Sequence, residues 1–465
     1  MRVLISGLTL RSVTLIAFEA VLIVSAVALA AWARLGATAW EFVAGENLVW
    51  KALLMAGVTQ TCLYFADLYN LRVVSDRREL FTRITHALAS ASFILAAIYF
   101  WFPALVVGRG VFVIAAVLVM TLVVAWRIAF EWGSRNARPH ERLLMVGTSA
   151  AAVDLAREMF ERRHDLGVEI VGFVDPDPSK VGTPVLNPGV VGSIEDIPGI
   201  VRSRGVDRVV VSLGDARGKL PMEKLLDMRL LDGVRFDHLA DVYEEYTGKI
   251  AVENLRPSWL IFSPGFNKSR LLSASKRLLD ILVAGIGMLL AAPLMALVAL
   301  AVRLTSPGPV LYHQQRVGLH GRVFTVHKFR SMRQDAEAKT GPVWASKSGD
   351  PRVTPVGAFL RRSRLDEVPQ LWNVLKGDMS FVGPRPERPE FVKELTTQIP
   401  FYGQRHIVRP GLTGWAQVRY TYGATTEDAL QKLQFDLFYI KNLSIALDLF
   451  IIFATVKTVV LRKGA

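Results

Sequence analysis

Cysteine is almost missing from this 465-residue chain: Cys62 is the only one, and it falls inside an apolar run. One thiol excludes an intrachain disulfide and a cysteine-built zinc site, and it carries no information about redox compartment. Acid is also in short supply, with 41 Asp and Glu against 55 Lys and Arg, a formal net charge of +14. That surplus suits nucleic acid, anionic lipid or a phosphorylated substrate. Histidine is sparse, and His313, His320 and His327 recur every seven residues. No acid or cysteine stands at ligand spacing beside them, and LYHQQRVGLHGRVFTVHKF alternates as a hairpin does, which argues against a metal. A dinucleotide fingerprint is incomplete as well. Gly147 is followed by Thr148, Ser149, Ala150, Ala151 and Ala152, so the glycines that let a pyrophosphate approach are absent.

What the chain has in excess is hydrophobic sequence, 51% of all residues, too much for an ordinary soluble enzyme. Four apolar segments, 12–33, 49–69, 86–107 and 110–131, each approach the ~20 residues that cross ~30 Å of hydrocarbon. The first is long and lacks a small-residue cleavage site, so it reads as a span and not as a signal peptide. Arg2 and Arg11 precede the set, Arg72, Arg77, Arg78 and Arg83 fill the second loop, and Arg135, Arg138 and Arg142 follow the fourth segment. The first loop offers Arg34 and Lys51 and the third only Arg109. The positive-inside rule then places both ends of this four-helix domain, 1–135, in the cytoplasm. Polar residues within it are few, so no transport path is expected. In such a chain anionic headgroups and phosphates explain the basic charge more economically than nucleic acid.

Residues 140–246 change character. RLLMVGTS, VEIVGFVD and VDRVVVSL read as strands, and AAAVDLAREMF as a helix. That alternation predicts a Rossmann-like, doubly wound parallel sheet, a regulatory or assembly module more than a nucleotide site. Asp175-Pro176-Asp177, with Pro178 and Gly182 close behind, reads as a turn despite its likeness to a metal-binding DxD. Residues 247–270 read as a linker with short extended pieces. A fifth apolar segment, 281–304, is interrupted by Pro293. The last, 445–461, contains Asp448 and Lys457 and reads as an interfacial amphipathic helix.

The chemistry concentrates in RLDEVPQLWNVLKGDMSFVGPRPE at 364–387. Asp366 and Glu367 stand just ahead of a predicted helix that Pro369 can enter and Gly377 can stop. Arg361, Arg362 and Arg364 precede them and Arg385 follows. Carboxylates among guanidinium groups suit phosphate handling, with metal on the acids and arginine on the oxygens. A capped surface helix with ordinary ion pairs would show the same residues. Trp415, in GLTGWAQV, reads equally as a stacking surface for a base or as a core plug.

Together with KFRSM at 328–332, SFVGPRP at 380–386 and RPGLTGWAQV at 409–418, this stretch resembles the bacterial sugar transferases. These are the monotopic phosphoglycosyl transferases. The four motifs occur in the family's order across about 270–465, and the preceding spans and sheet resemble the large subclass. The run TGKIAVENLRPSWLIFSPGF at 247–266 is similar to a branch found with exosortase-type exopolysaccharide clusters. The resemblance implies a bacterial inner-membrane protein whose catalytic domain, 271–465, lies on the cytoplasmic face and dips into the bilayer through a re-entrant helix broken near Pro293. The family's break is Ser-Pro, whereas this chain has Ala292-Pro293. It implies a homodimer that transfers sugar-1-phosphate from UDP-sugar to undecaprenyl phosphate, releasing UMP, at the first membrane step of exopolysaccharide or O-antigen synthesis. Asp366 falls on the nucleophile and Glu367 on its assistant. Lys328, Arg330, Arg361 and Arg385 fall on substrate-binding positions. Mg²⁺ is the implied cofactor, held by the two acids and substrate phosphates.

Two other function classes share parts of this pattern. A membrane-anchored nucleotide-sugar dehydratase would share the first half, yet none of the ten tyrosines has a lysine four residues later. A polysaccharide-assembly scaffold would leave the acid dyad without a role.

Overall fold

The computed structural model describes residues 10–36, 47–69, 77–136, 141–161, 166–212, 222–231, 233–252, 260, 263, 265–334, 336, 352–420, 423 and 425–460. Arg2, Arg72 and Arg138 of the charge argument, much of the expected linker (253–259) and residue 461 lie outside them. The chain divides into two compact units, one of Ile5–Leu239 and one made chiefly of Ala240–Ala465.

The first unit begins with helices α1 (Leu10–Leu35), α2 (Leu48–Phe65), α3 (Arg77–Trp101) and α4 (Arg109–Asn136). Each contains a stretch long and apolar enough to cross a membrane. The third differs from the expected 86–107. It starts earlier and stops at Trp101, because Pro103 disfavours helical geometry at Phe102, and Pro103–Leu105 forms a separate 3-10 turn. Small residues such as Ala26 and Ala56 pack with Ile23, Val119 and Val123 and let the helices approach closely. Lys51, expected in a loop, is buried inside α2, where its ammonium donates to the Val106 carbonyl at 3.1 Å. The sequence reading also passed over a buried pair, Arg127 Nε to Glu19 Oε1 at 2.7 Å, with the Tyr69 hydroxyl donating to Glu19. Removing one partner of such a pair costs about 3–5 kcal/mol, so it pins α1 to α4.

The same unit then builds β1 (Glu141–Val146), α5 (Ala150–Glu161), β2 (Val168–Asp175), β3 (Val190–Ser193), α6 (Ile197–Arg204), β4 (Arg208–Val211), α7 (Met222–Leu231) and β5 (Arg235–His238). The strands are parallel, in the order β3-β2-β1-β4-β5, which is a doubly wound arrangement. The strands β3 and β5 are not expected from the sequence, since VVGS and RFDH hold at most two apolar residues each, whereas RVVV of β4 holds three in a row. Asp175 Oδ1 accepts the Asp177 amide and Asp177 Oδ1 accepts the Ser179 amide, so this acid pair is turn chemistry as the sequence indicates.

The second unit contains α8 (Leu239–Thr247, all but its first residue), α9 (Arg270–Thr305), β6 (Leu311–Val317), β7 (Val323–Phe329), α10 (Pro355–Arg362), α11 (Gln370–Lys376), β8 (Ser380–Val382), α12 (Pro389–Gln398), β9 (Gly411–Thr413), α13 (Trp415–Arg419), α14 (Thr426–Asn442) and α15 (Ile445–Val460). Its beginning falls inside the sheet module and linker that the sequence suggests. Ile250 and Val252 join the core around Trp415 and Phe438, and Glu244 accepts the Asn442 amide at 2.7 Å. Hydrophobic burial therefore makes 244–252 part of this unit and not a spacer.

Helix α9 starts well before the expected 281, capped by the Ser269 hydroxyl, and runs through Pro293 without a break to Thr305. Its 36 residues give a length of about 54 Å. Both ends are held by this one unit. Near the start, Arg277 donates to the carbonyls of Val374 and Leu375, and Asp280 accepts from Ser380 and Phe381. Near the end, Val298 and Val302 pack with Phe329 and Leu360. The remaining face exposes Leu278, Leu282, Ile286, Leu289, Leu297 and Leu300. Helix α15 repeats the arrangement: Asp448 is buried on Lys276 at 2.7 Å, while Leu449, Phe453 and Val456 are exposed.

Candidate functional site

The hairpin β6–β7 forms as its alternation requires, with His313 directly opposite His327 and their Nδ1 atoms 2.8 Å apart. His320 lies in the turn, and among the described residues no three His, Cys, Asp or Glu cluster as metal ligands do. Next to His327, Lys328 projects from β7 toward the acid dyad. The hairpin's far end is tied down by Arg316, whose guanidinium donates to the Pro386 carbonyl at 3.0 Å and pairs with Glu387.

The dyad sits where α10 ends. Arg364 takes a left-handed conformation, φ 58°, which turns the chain into a 3-10 turn, Leu365–Glu367. Pro369 then caps α11, and Gly377, φ 97°, stops it as the sequence predicts. Glu367 Oε1 receives Lys328 Nζ at 3.0 Å and Arg385 Nη2 at 2.8 Å, with Arg364 at 3.9 Å from Oε2. Asp366 is only 8% exposed, and its Oδ1 is buried without a hydrogen-bond partner among the described residues. Such an atom costs about 1–3 kcal/mol to leave unpaired.

The two carboxyls are driven apart. Burial pushes Asp366 above the usual range, and the neighbouring Glu367 charge adds to it, against Lys328, Arg361 and Arg364. Burial acts on Glu367 in the same sense, but Arg385, Lys328 and Arg364 outweigh it and hold that carboxyl well below its ordinary value. Burial lowers Lys328, with Glu367 opposing.

Arg361 is held by Ser331, whose hydroxyl accepts from Nε at 2.9 Å. Arg385 occupies the Pro-Arg-Pro turn, and Arg405 steadies that turn from below by donating to the Arg385 carbonyl at 3.1 Å while pairing with Asp436 at 2.8 Å. The turn is also fixed by backbone packing, for a Cβ on Gly383, Gly411 or Gly414 would overlap main-chain atoms of the others or of their neighbours.

Lys328, Arg361 and Arg385 thus converge on Asp366 and Glu367. Arg330 does not: its guanidinium donates to Ser306 and to the Pro307 carbonyl, at the end of α9. Alternation alone would put Arg330 on the Lys328 face, but β7 ends at Phe329, so that pattern does not extend to it. Trp415 is 1% exposed, stacked on Phe438 and bonded to the Gly248 carbonyl, so it is a core plug and no surface for a base. Sequence reasoning missed Arg316, Ser331 and the Arg405–Asp436 pair. Arg405 and Asp436 lie 31 residues apart, and no local pattern connects them.

A divalent cation fits this donor set in part. Asp366 Oδ1 is an orphaned carboxylate oxygen, whereas Glu367 Oε1 is already taken by two cations. Mg²⁺ needs only one or two carboxylates when substrate phosphates complete its shell.

The family described as bacterial sugar transferase matches residues 271–462, and one described as CoA-binding domain matches 64–219. A UDP-N-acetylgalactosamine-undecaprenyl-phosphate N-acetylgalactosaminephosphotransferase of Aeromonas hydrophila is 42% identical over 259 residues, 56% of this chain and 60% of that protein. A UDP-glucose:undecaprenyl-phosphate glucose-1-phosphate transferase of Escherichia coli K12 is 36% identical over 352 residues, covering 73% of this chain and 72% of that one. A protein of the same description from Klebsiella pneumoniae is 33% identical over 372 residues, 79% of this chain and 76% of its own length. The chain therefore spans less than two thirds of the first of these relatives and more than two thirds of the other two.

Proposed function

This chain belongs to the bacterial sugar transferase family, and from that premise we propose that it transfers a sugar-1-phosphate from a UDP-sugar to undecaprenyl phosphate. The observation that carries the reading is Asp366: a buried carboxylate with an oxygen unpartnered among the described residues, beside a glutamate whose charge two cations neutralise. Phosphoryl transfer asks mainly for positioning and neutralised charge. In the first step Asp366 attacks the β-phosphorus of the UDP-sugar, forming an acyl phosphate that bears the sugar, and UMP leaves with the electrons of the broken P–O bond. In the second an oxygen of undecaprenyl phosphate attacks the same phosphorus and Asp366 leaves. Lys328, Arg361 and Arg385 hold phosphate oxygens, and Glu367 keeps Lys328 and Arg385 in place until they arrive. A Mg²⁺ ion, when bound through Asp366 and Glu367, would neutralise phosphate charge.

The lipid substrate implies a site at the bilayer surface. The exposed apolar face of α9, with both of its ends on one folded unit, supports a helix that enters the inner membrane and returns to the cytoplasmic side. A crossing would put the two ends on opposite faces. The break that the resemblance implies is not formed, since the helix is continuous through Pro293, but Pro293 has no amide to donate and leaves one helical bond fewer to resist bending there.

The decisive experiment gives purified protein undecaprenyl phosphate and a panel of UDP-sugars. UMP release with one or more of them is expected, and none with any would refute the reading. Cysteines at 274 and 308 in a Cys62→Ala background test the membrane path. Both should react with an impermeant maleimide only from the cytoplasmic side.

A further inference from the structure

We propose that Asn373 is a positioning residue for Lys328, an inference that rests on the transfer reaction above. Asn373 lies in α11, immediately after the dyad, and is 0% exposed. Its side chain leaves its own helix and docks on strand β7. Oδ1 accepts the His327 amide at 3.1 Å, and Nδ2 donates to the Thr325 carbonyl at 2.7 Å.

Those two backbone groups belong to one edge of the strand. Among the described residues this sheet has two strands, so β7 pairs with β6 on one side, and the carboxamide supplies the other side with the donor and acceptor that a third strand would offer. The consequence reaches the reacting groups through geometry. Val326 and Lys328 share a face of β7, because side chains alternate along a strand. Val326 is buried against Leu371 and Val374 of α11, which fixes that face toward the dyad helix. Lys328 then meets Glu367 at 3.0 Å. A one-residue slip would turn Lys328 to the opposite face. Apolar contact at Val326 resists rotation but specifies little along the strand, whereas the two Asn373 bonds mark residues 325 and 327 individually. Asn373 thus couples the segment carrying the acids to the segment carrying the lysine.

The test is a double-mutant cycle in the full chain in lipid nanodiscs. Asn373→Ala and Lys328→Met should each lower kcat/KM for transfer by roughly 10- to 100-fold, the scale of a misplaced catalytic group. Added to Lys328→Met, Asn373→Ala should cost less than about threefold more, because its effect passes through the lysine. Equal losses in both backgrounds would show ordinary core packing and overturn the proposal. Should Asn373→Ala fail to fold, Asn373→Asp keeps the acceptor for His327 and loses the donor to Thr325, and the same cycle applies. Amide exchange at His327 and the rate of Lys328 acetylation supply a readout independent of transfer. Both should rise in the Asn373 variants, and unchanged values in a folded variant would also overturn the proposal. A wild-type protein that releases no UMP would sink the transfer reading while leaving these two measurements to decide the positioning.

Discussion

Thr148 and Ser149 precede α5 much as Asp366 and Glu367 precede α11, yet the polar atoms at the two turns behave differently. In the parallel sheet they satisfy one another. Thr148 Oγ1 donates to Asp175 Oδ2 at 2.6 Å, Ser149 bonds Ser212, and Lys180 closes on Asp175 at 3.3 Å. At the dyad one carboxylate oxygen has no partner among the described residues, and the cations that gather there come from three separate segments. A turn at the end of a strand or the start of a helix is common to many folds. What marks a reacting centre is unspent hydrogen-bonding capacity in a field assembled from distant parts of the chain.

The largest effect that tests this contrast comes from Asp366→Asn, which keeps the shape and removes the charge proposed to attack phosphorus. Transfer should fall by about 10³- to 10⁵-fold, and the protein should no longer take up label from UDP-sugar carrying ³²P at the β position. Full turnover, or label mapping elsewhere, would erase the distinction between the two turns. Arg385→Ala should come next, with a loss of about 10²-fold in kcat/KM as one preorganised cation is removed. At the sheet, Thr148→Val should leave UMP release within about threefold, as expected of a group outside the reaction.

Cutting the chain sharpens the comparison further. A fragment beginning at Ala240 keeps Glu244, Gly248, Ile250 and Val252 against the Trp415 core and should retain transfer in detergent within about tenfold. One beginning at Leu271 lacks those groups and should melt at a clearly lower temperature. Equal melting temperatures would show that 244–252 are dispensable to the unit.

The smallest effect concerns sign. Asp175 is held below the ordinary carboxyl range, since Thr148, the Asp177 amide and Lys180 outweigh its burial, while Asp366 is raised. A lowered acid adds stability above its unfolded pKa of about 3.9, and that contribution is lost as pH falls through the lower folded value. A raised acid does the opposite, costing stability once pH climbs past about 4. At pH 7, therefore, Asp175→Asn should lower the melting temperature by a few degrees and Asp366→Asn should leave it unchanged or raise it. A destabilised Asp366→Asn would mean that the carboxylate is paired after all.

Much of this architecture is legible in the residues. Runs such as VEIVGFVD announce a buried strand over the very residues it occupies, and the left-handed Gly377 ends α11 where the pattern stops. The dyad, Lys328 and Arg385 are legible through the wording of their motifs. Arg330 was assigned with them because it shares KFRSM, but a strand that ends at Phe329 directs it elsewhere. Asn373 and Arg405 escaped notice for a different reason. Each acts on backbone atoms of a distant segment, and a carbonyl or an amide leaves no trace in the sequence of the residue that owns it.

The interlocked glycines beneath the Pro-Arg-Pro turn bear on how this protein can change over generations. A side chain on Gly411 or Gly414 would need the space that Gly383 occupies, one on Gly383 would meet Arg409 and Gly411, and Arg385 follows directly in the same loop. A first replacement at any of the three meets main-chain atoms, which cannot swing aside as a side chain does, and no single second replacement relieves it. Variation around this arginine should consequently be confined to neighbouring side chains. In a library of random variants screened for UMP release, these three positions should stay glycine while Glu390 and Lys393 drift freely.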